Sequence, residues 1–360
     1  MGRISGKSLA EKYNDFLEPC VHIMTPLGEV PSGDGVYLEK VEVAASVGTD
    51  PDMALVVYQA DKSSAQDLTG IEKYFDVGHK IEIKAGYGKE SSRIFQGYLH
   101  QVEAEDAMQG YVEYTLVCLD VKGLMKKNSM LLASGKKERQ KILNDILNTG
   151  CYGSLIESRE VDPLPGEWNR DCVIRGETHY DWLCSLAISL DYEFFCGAGK
   201  LVFRKARKAG SDVLELSVEY GLQKTRRVVT LAGQTGSVQV WGYNRKDEKI
   251  TGKADWPGAA GAFTKKMKQT LEGCALTFLD REPETGEEAE KRARALMGRA
   301  AGSCVRMEAV TLGLPELLPG ICAEIAEEGT PSLAGKMYVE EVRHLLDENG
   351  YMTTAAGVRL

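Results

Sequence analysis

The sequence predicts a mainly β fold with an α+β insertion, in which two related antiparallel β-barrel-like domains flank a small α/β domain. Apolar and polar residues alternate, as in strands, from about residue 18 to 125 and again after about residue 213. Between these regions, apolar residues recur at helical spacing. The predicted domains are residues 1–125, 126–205 and 206–360, and the last contains one helix over about 286–301.

The first β region contains a glycine-rich stretch, Lys84–Leu99, that resembles a nucleotide-binding loop at first sight. A phosphate-binding loop needs the pattern G-x-x-x-x-G-K-[ST]. Ile83 stands at the position of its first glycine, and Glu90 stands at the position of its hydroxyl. Residues 80–85 instead alternate between charged and apolar side chains, as in a strand with one buried face. We therefore predict a hairpin, extended to an antiparallel meander by a third strand over residues 110–121.

The middle region is predicted to contain two helices and a hairpin. Residues 134–150 carry isoleucine and leucine at helical spacing, with Gly150 as a C-terminal stop. Thr178-x-x-Asp181 is a capping-box pattern that precedes an apolar stripe. The stripe consists of Trp182, Leu183, Leu186, Ala187 and Leu190. Residues 192–206 are typical of a hairpin, with Gly197 and Gly199 in its turn.

The last region begins with strands, followed by a Gly/Ala-rich stretch over Ala254–Phe263 that predicts a mobile loop. Thr285-x-x-Glu288 then opens a helix that ends at Gly302. Its predicted apolar stripe consists of Ala289, Ala293, Leu296 and Ala300. The remainder of the chain is predicted to form strands.

A weak internal repeat relates the two β regions, at a separation of about 240 residues. Each unit has a strand, a glycine-led strand rich in valine, an acidic turn and a strand that opens with Gly-Tyr. The paired positions are Gly78 with Gly320, Gly97 with Gly335, and Gly110–Tyr111 with Gly350–Tyr351. A ring of n such chains would carry 2n similar domains, so that a trimer would be nearly sixfold.

The composition is that of an ordinary globular protein, with 43% hydrophobic and 27% charged residues. A formal charge of −9 argues against specific or nonspecific nucleic-acid binding. The basic runs Arg204–Lys208 and Lys224–Arg227 are interpreted as solvated strand ends, with an acidic partner surface as the alternative. The polar N-terminus predicts no signal peptide, and no apolar run is long enough for membrane insertion. Nine cysteines without a Cys-x-x-Cys pair predict reduced thiols in a cytoplasm.

The residues that carry chemistry in enzymes form no recognised pattern in this sequence. Five histidines occur, at 22, 79, 100, 179 and 344, and none has a metal-ligand spacing. The nucleophile pattern G-x-S-x-G does not occur. Acidic clusters near residues 105 and 327 are typical of surface turns. We therefore expect no enzymatic activity, no catalytic residue, no cofactor and no metal.

The four tryptophans test a second possibility, a binding module that stacks sugars or a receptor on aromatic rings. Trp182 lies on a helix stripe and Trp241 lies inside a strand, so both are predicted to be core residues. Trp168 and Trp256 lie in Pro/Gly-rich loops and are predicted to be exposed. We expect the loop that contains Trp256, Pro257 and Phe263 to contact a neighbouring subunit or another partner.

Three segments resemble the late control protein D family, the baseplate central hub proteins of contractile phage tails, tailocins and related injection systems. Val173–Phe203 is similar to the family's helix-and-hairpin insertion, and the hairpin around Gly88 is similar to its first barrel. The C-terminal region resembles its last domain through a turn and two strands. The matching positions are Gly313, Pro315, Leu317, Pro319, Gly320, Val339, Val342, His344, Gly350, Tyr351 and Thr353. The chain is also similar to the N-terminal half of type VI secretion spike proteins.

This resemblance implies a structural hub, a homotrimer whose two barrels per chain build a pseudo-sixfold ring. The ring would adapt the sixfold tail tube to a threefold spike. Its implied partners are further copies of itself, a spike protein and the first ring of the tail tube protein, with baseplate wedge and tape-measure proteins as further candidates. Assembly would occur in the bacterial cytoplasm, and the protein would become part of the baseplate of a virion or phage-tail-like particle.

The sequence ends at Leu360 without an appended spike repeat or lysozyme domain, so the resemblance implies that spike and hydrolase are separate chains. Two alternatives stay open from the residues alone. The first alternative to a structural hub is a carbohydrate- or receptor-binding β protein of a tail tip. The second is a component of a tail-associated cell-wall hydrolase.

Overall fold

The computed structural model describes residues 3–33, 35–48, 50–63, 65–106, 110–168, 171–208, 213–243, 248–258, 264–280, 283–326 and 330–360. Strands dominate the fold, as the sequence predicts, and they form large, mainly antiparallel sheets. The largest sheet has 14 strands and includes strands from both β regions.

The elements fall into three groups along the chain. The first group is β1 Arg3–Ile4, α1 Gly6–Lys12, β2 Pro19–Thr25, β3 Gly28–Glu29, β4 Val36–Ser46, β5 Met53–Asp61, α2 Ala65–Glu72, β6 Lys80–Tyr87, β7 Glu90–Asp106, β8 Tyr111–Leu119 and α3 Val121–Met125. The second is β9 Ser129–Glu138, α4 Arg139–Leu147, β10 Ser158–Val161, β11 Asp171–Thr178, α5 His179–Leu190, β12 Tyr192–Gly197 and β13 Lys200–Lys205. The third is β14 Val213–Leu216, β15 Leu222–Val229, β16 Ser237–Tyr243, β17 Lys249–Asp255, α6 Thr264–Thr270, β18 Ala275–Leu279, α7 Gly286–Gly302, β19 Val305–Leu312, β20 Cys322–Ile325, β21 Gly335–Asp347 and β22 Gly350–Arg359.

The predicted hairpin and meander are confirmed. Tyr87 pairs with Glu90, so that Gly88 and Lys89 alone connect β6 to β7. Gly88 has a φ of 57°, in the left-handed region that glycine adopts without steric penalty. β7 then pairs with β8, and this completes the three-stranded antiparallel meander. The glycine-rich stretch is therefore a turn and not a phosphate-binding loop.

The internal repeat extends over five strands in each β region. In the first unit the neighbour order is β4-β5-β8-β7-β6, and in the second it is β15-β19-β22-β21-β20. All of these pairs are antiparallel. Both units therefore have the same topology, and the sequence repeat reflects a repeated fold.

Two β-bulges of the first unit have counterparts at equivalent points of the second unit. The pairing of β4 with β5 shifts between Leu38 and Lys40, and the pairing of β15 with β19 shifts between Leu222 and Lys224. The pairing of β7 with β8 shifts after Leu99, and that of β21 with β22 shifts after Val339. A bulge changes local twist and register, so shared bulges mark equivalent residues closely.

One of the predicted glycine pairs is corrected by this alignment. The backbone N–H of Gly78 donates to the Leu99 carbonyl and that of Gly320 donates to the Val339 carbonyl, so Leu99 and Val339 are equivalent. Gly97, two residues before Leu99, therefore corresponds to Met337 and not to Gly335. Strand pairing, rather than glycine position, determines which residues correspond.

The two β units share one hydrophobic core. Val43 and Ile83 of the first unit belong to the same buried cluster as Met307 and Val342 of the second. The middle region has a separate core, which includes Leu143, Leu183 and Phe203 together with Tyr98 from β7. A third core lies between α7 and the small sheet β17-β16-β18. The domain boundaries stay a prediction, because the shared sheet does not mark them.

The helices and the hairpin of the middle region are as predicted. The side chain of Thr178 caps α5 by accepting a hydrogen bond from the Asp181 backbone N–H at 3.0 Å. Leu183, Leu186 and Ala187 are buried on the predicted stripe. β12 and β13 form the predicted hairpin, whose turn is Ala198–Gly199.

The last region departs from the sequence prediction in two details. α7 begins at the predicted cap, where Thr285 accepts from the Glu288 N–H at 3.2 Å. However, Met297 and Ala301 are buried in place of Leu296 and Ala300, because the packed face turns slightly about the helix axis. A second, short helix, α6, precedes α7, whereas the sequence predicted only one. Its sequence TKKMKQT is too polar to reveal a stripe, since among the side chains described in 265–270 Met267 alone is buried.

Lowering the pH is expected to destabilise this fold through His344, which is buried between Tyr351 and Thr353. Burial lowers the pKa of His344 from 6.5 to about 3. Because the folded pKa is the lower one, the stabilisation is complete above pH 6.5 and is lost as the pH falls toward 3. We expect a loss of about 3 kcal/mol between pH 6.5 and 4.

The measurement is urea denaturation of the wild type and of His344→Gln across that pH range. Burial raises the pKa of Asp52, which acts in the opposite sense, so the difference between the two proteins isolates the histidine. Parallel pH profiles for both proteins would contradict the prediction.

Candidate functional site

Two of the five histidines, His179 and His344, are buried. His344 Nδ1 is 3.0 Å from Thr353 Oγ1 and 2.9 Å from the Tyr351 hydroxyl, deep in the shared core. His179 Nδ1 is 2.9 Å from the Tyr152 hydroxyl, and burial lowers the pKa of this histidine. Within the described ranges, no group of three or more His, Cys, Asp or Glu residues could hold a metal ion. In the same ranges, no helix is both long and apolar enough to cross a membrane.

The tryptophan predictions are partly wrong. Trp182 is buried as expected, but Trp168 and Trp256 are only 5% and 6% exposed. Trp256 packs against α7, and its Nε1 donates to Gln234 Oε1 at 3.1 Å. Trp241 is 40% exposed, because Val238 and Val240 occupy the face of β16 that lies under α7. Loop and strand membership therefore misjudged the exposure of three tryptophans.

The predicted interface loop is consequently described only in part. Trp256 is a core residue and Pro257 beside it is exposed. Phe263 lies outside the described residues. The contact of this loop with a partner stays a prediction.

The two β units meet at a joint, which we define as Val41–Ser46 of β4 paired with Glu341–Leu346 of β21. The strands are antiparallel here, with Arg343 opposite Ala44 and Leu345 opposite Glu42. Arg343 Nη2 forms an ion pair with Glu42 Oε1 at 2.7 Å across the joint. Hydrogen bonding thus continues from one unit to the next, and the units form one sheet.

Each unit also has a strand with one edge that forms no ladder with another described strand. The described ladder of β15 is with β19, and that of Gln101–Glu105 of β7 is with β8. Unpaired edges of this kind are ready templates for another chain. The edge of β7 is acidic, through Glu103, Glu105 and Asp106, and the edge of β15 is basic, through Lys224, Arg226 and Arg227.

In the basic run Arg204–Lys208, Lys205 and Lys208 are exposed, as predicted for a solvated strand end, but Arg204 is not. The Arg204 side chain is buried, with Nε 2.9 Å from Glu193 Oε1 and Nη2 2.8 Å from the Gly320 carbonyl. The Tyr338 hydroxyl donates to the same Glu193 oxygen at 2.6 Å. This network fastens the middle region to the second β unit.

A comparable contact fastens the middle region to the first unit. Arg93 forms an ion pair with Glu157, its Nε donates to the Ala198 carbonyl at 2.9 Å, and its Nη1 donates to Gln96 Oε1 at 2.8 Å. Arg93 is more exposed than Arg204. The middle region therefore contacts both units and holds them in fixed relation.

A buried charged cluster lies where the first unit meets the middle region. Lys122 Nζ is 2.6 Å from the Asp50 carbonyl, 3.5 Å from Asp52 Oδ1 and 3.6 Å from Asp120 Oδ2. Burial raises the pKa of Asp52 to about 7 and also raises the pKa of Asp120, although the Lys122 charge opposes both shifts. Burial alone would lower the pKa of Lys122, but the carboxylates outweigh it and raise the pKa. The cluster is a structural cross-link, because the side chains of Lys122, Asp52 and Asp120 are almost fully buried.

Comparison with known proteins identifies a matching family model and several structures of similar fold. A family model described as the Alg8 N-terminal domain matches residues 29–348. The 43 kDa tail protein of prophage MuSo2 from Shewanella oneidensis has a TM-score of 0.69 at 16% identity, over 95% of this chain and 98% of that one. A tail protein from Neisseria meningitidis has a TM-score of 0.68 at 12% identity, over 95% and 97%. The E. coli c3393 protein, a component of the type VI secretion system, has a TM-score of 0.61 at 9% identity, over 94% and 76%.

No curated protein sequence matches the chain. At these identities the structural matches concern the fold, which is that of phage tail and type VI secretion proteins. The predicted membership of the late control protein D family stays a prediction, because the matching family model has a different description.

Proposed function

The chain belongs to the family of the Alg8 N-terminal domain, and we propose that it is a structural baseplate hub of a phage tail or phage-tail-like particle. In this proposal three chains close a ring that has six similar β units. The ring meets the first ring of the tail tube protein on one side and a spike protein on the other. The late control protein D family remains the group whose architecture this proposal follows.

One observation carries the proposal, namely that two units in one chain share strand order and two bulge positions. A threefold assembly of such a chain presents six nearly equivalent surfaces, which suits a sixfold tube. The likeness to tail proteins over nearly their whole length supports the same role. The buried positions of His179 and His344 support a protein without catalytic activity.

Negative-stain electron microscopy of the purified chain, alone and mixed with its candidate spike, tests this function. We expect a six-lobed ring with a central hole. Compact particles without a hole under both conditions would contradict the proposed hub. Absence of peptidoglycan hydrolysis by the same preparation is expected as well.

The exposed side chains of Trp241 and Tyr243 favour a second candidate, a carbohydrate-binding surface on the outer face of β16. Lys249 Nζ lies 3.7 Å from the centre of the Trp241 ring and covers part of the face that a sugar would use. We therefore place this function second. Glycan binding that is lost in Trp241→Ala but retained in Trp182→Phe would favour it.

A further inference from the structure

We propose that the β15 edge of one copy pairs with Gln101–Glu105 of β7 in the next copy, in the register that joins the two units within a chain. This inference rests on the proposed ring, and it specifies the strands, the register and the charges that close it. The occupant of each open edge is thus a second copy of this chain.

The bulges identify which residues correspond between the two units. Because Lys40 and Lys224 follow equivalent bulges, Glu42 of β4 corresponds to Arg226 of β15. Because Leu99 and Val339 precede equivalent bulges, Glu103 of β7 corresponds to Arg343 of β21. The two open edges are therefore the counterparts of the two strands that already pair within the chain.

The register of the joint then predicts the pairing between copies. Arg343 lies opposite Ala44 within the chain, which places Glu103 opposite Val228 of the next copy. Leu345 lies opposite Glu42, which places Glu105 opposite Arg226. On the other face of the strands, Val102 comes to lie opposite Val229. Every position along the edge thus acquires a partner.

In the pairing between copies, each strand carries a charge of the opposite sign to that of its counterpart at the joint. Within the chain the ion pair is Arg343 with Glu42, and between copies the corresponding pair is Glu103 with Arg226. The side chain of Arg226 is 62% exposed and lies 3.9 Å from Glu308, so it is accessible to a partner. Opposite charges across strands stabilise pairing, and like charges oppose it.

This charge arrangement also determines the symmetry of assembly. An acidic edge does not pair with an acidic edge of another copy, and a basic edge does not pair with a basic one. Pairing is therefore head-to-tail, which closes into a ring when the rotation allows it. A twofold dimer through either edge is disfavoured.

Cysteine cross-linking tests the register directly. Opposite residues of antiparallel strands have Cα atoms about 4.5–5.5 Å apart, within the range that a disulfide spans. We expect a mixture of Glu103→Cys chains and Val228→Cys chains to form a disulfide-linked dimer under mild oxidation. The exposed Cys151 and Cys274 are replaced by serine in both chains. The matched control pairs Glu103→Cys with Thr225→Cys, three positions out of register, and is expected not to cross-link.

Charge reversal tests the energetics of the same edge. Arg226→Glu is expected to weaken self-association about tenfold, which corresponds to about 1.4 kcal/mol, as measured by mass photometry. Adding Glu103→Arg and Glu105→Arg to the same chain is expected to restore it. The control is Arg294→Glu on α7, a side chain that is also 62% exposed and is expected to leave association unchanged.

Three negative outcomes have different meanings. A ring that forms without the Glu103–Val228 cross-link, and is weakened equally by Arg226→Glu and Arg294→Glu, overturns this pairing but leaves the proposed hub intact. A chain that stays monomeric at every concentration, with and without the spike, overturns both. Cross-linking of Glu103→Cys to a spike chain rather than to a second copy would assign the β7 edge to the spike and also overturn the pairing.

Discussion

Replacing Lys122 with alanine is expected to lower the free energy of unfolding by about 3–5 kcal/mol. The ammonium lies fully buried between Asp52 and Asp120, and its removal leaves two carboxyl groups without a compensating charge. It also removes the hydrogen bond to the Asp50 carbonyl. The measurement is urea denaturation at pH 7, followed by fluorescence and by circular dichroism.

Two controls separate this effect from the general cost of losing a lysine. Lys200→Ala removes a half-exposed lysine that pairs with Glu160, and it is expected to change stability by less than about 1 kcal/mol. The triple change Lys122→Met, Asp52→Asn and Asp120→Asn removes every charge of the cluster and is expected to recover most of the loss. A loss below 1 kcal/mol for Lys122→Ala would mean that the cluster contributes little to stability.

Replacing Arg204 with alanine is expected to have an effect of similar size, about 3–5 kcal/mol. Glu193 would remain buried without its partner, and the Gly320 carbonyl would lose a hydrogen bond. Because this network fastens the middle region to the second β unit, we also expect faster proteolysis between residues 205 and 213. Denaturation and limited trypsin digestion measure the two effects.

Arg93→Ala provides the matched control, because Arg93 makes the corresponding contact with the first unit. Arg93 and its partner Glu157 are more exposed, so the expected loss is about 1 kcal/mol or less. Tyr338→Phe removes only the hydroxyl that donates to Glu193 and is expected to lose about 1–3 kcal/mol. Equal losses for Arg204→Ala and Arg93→Ala would contradict the assigned difference in burial.

The local elements of this protein could be predicted from the sequence because their signals are local. Alternation identified β6, β7 and β8, and Gly88 identified their turn. Thr178 and Thr285 identified the starts of α5 and α7 through their caps. The repeat was visible in Gly78 and Gly320 because both positions have positive φ, which favours glycine in each unit.

The candidate site was less accessible to sequence reasoning. The basic run at Lys224–Arg227 was noticed, but nothing in it revealed that β15 would be an unpaired edge. Glu105 was noticed only as part of a surface turn, and Glu103 was not singled out. Their relation depends on which strands pair and where the bulges fall, and hydrogen bonding between distant segments decides both.

The sequence by itself determined the fold class, the meander β6-β7-β8, the caps of α5 and α7 and the existence of two related units. These features follow from side-chain periodicity and backbone preference within a few residues. Only the tertiary structure decided that Trp256 is buried and Trp241 is exposed, that Arg204 and Lys122 are internal ions, and that the chain joins its units through Arg343 and Glu42. Each of these depends on contacts between residues far apart in the chain, because burial and strand pairing are properties of the packed whole.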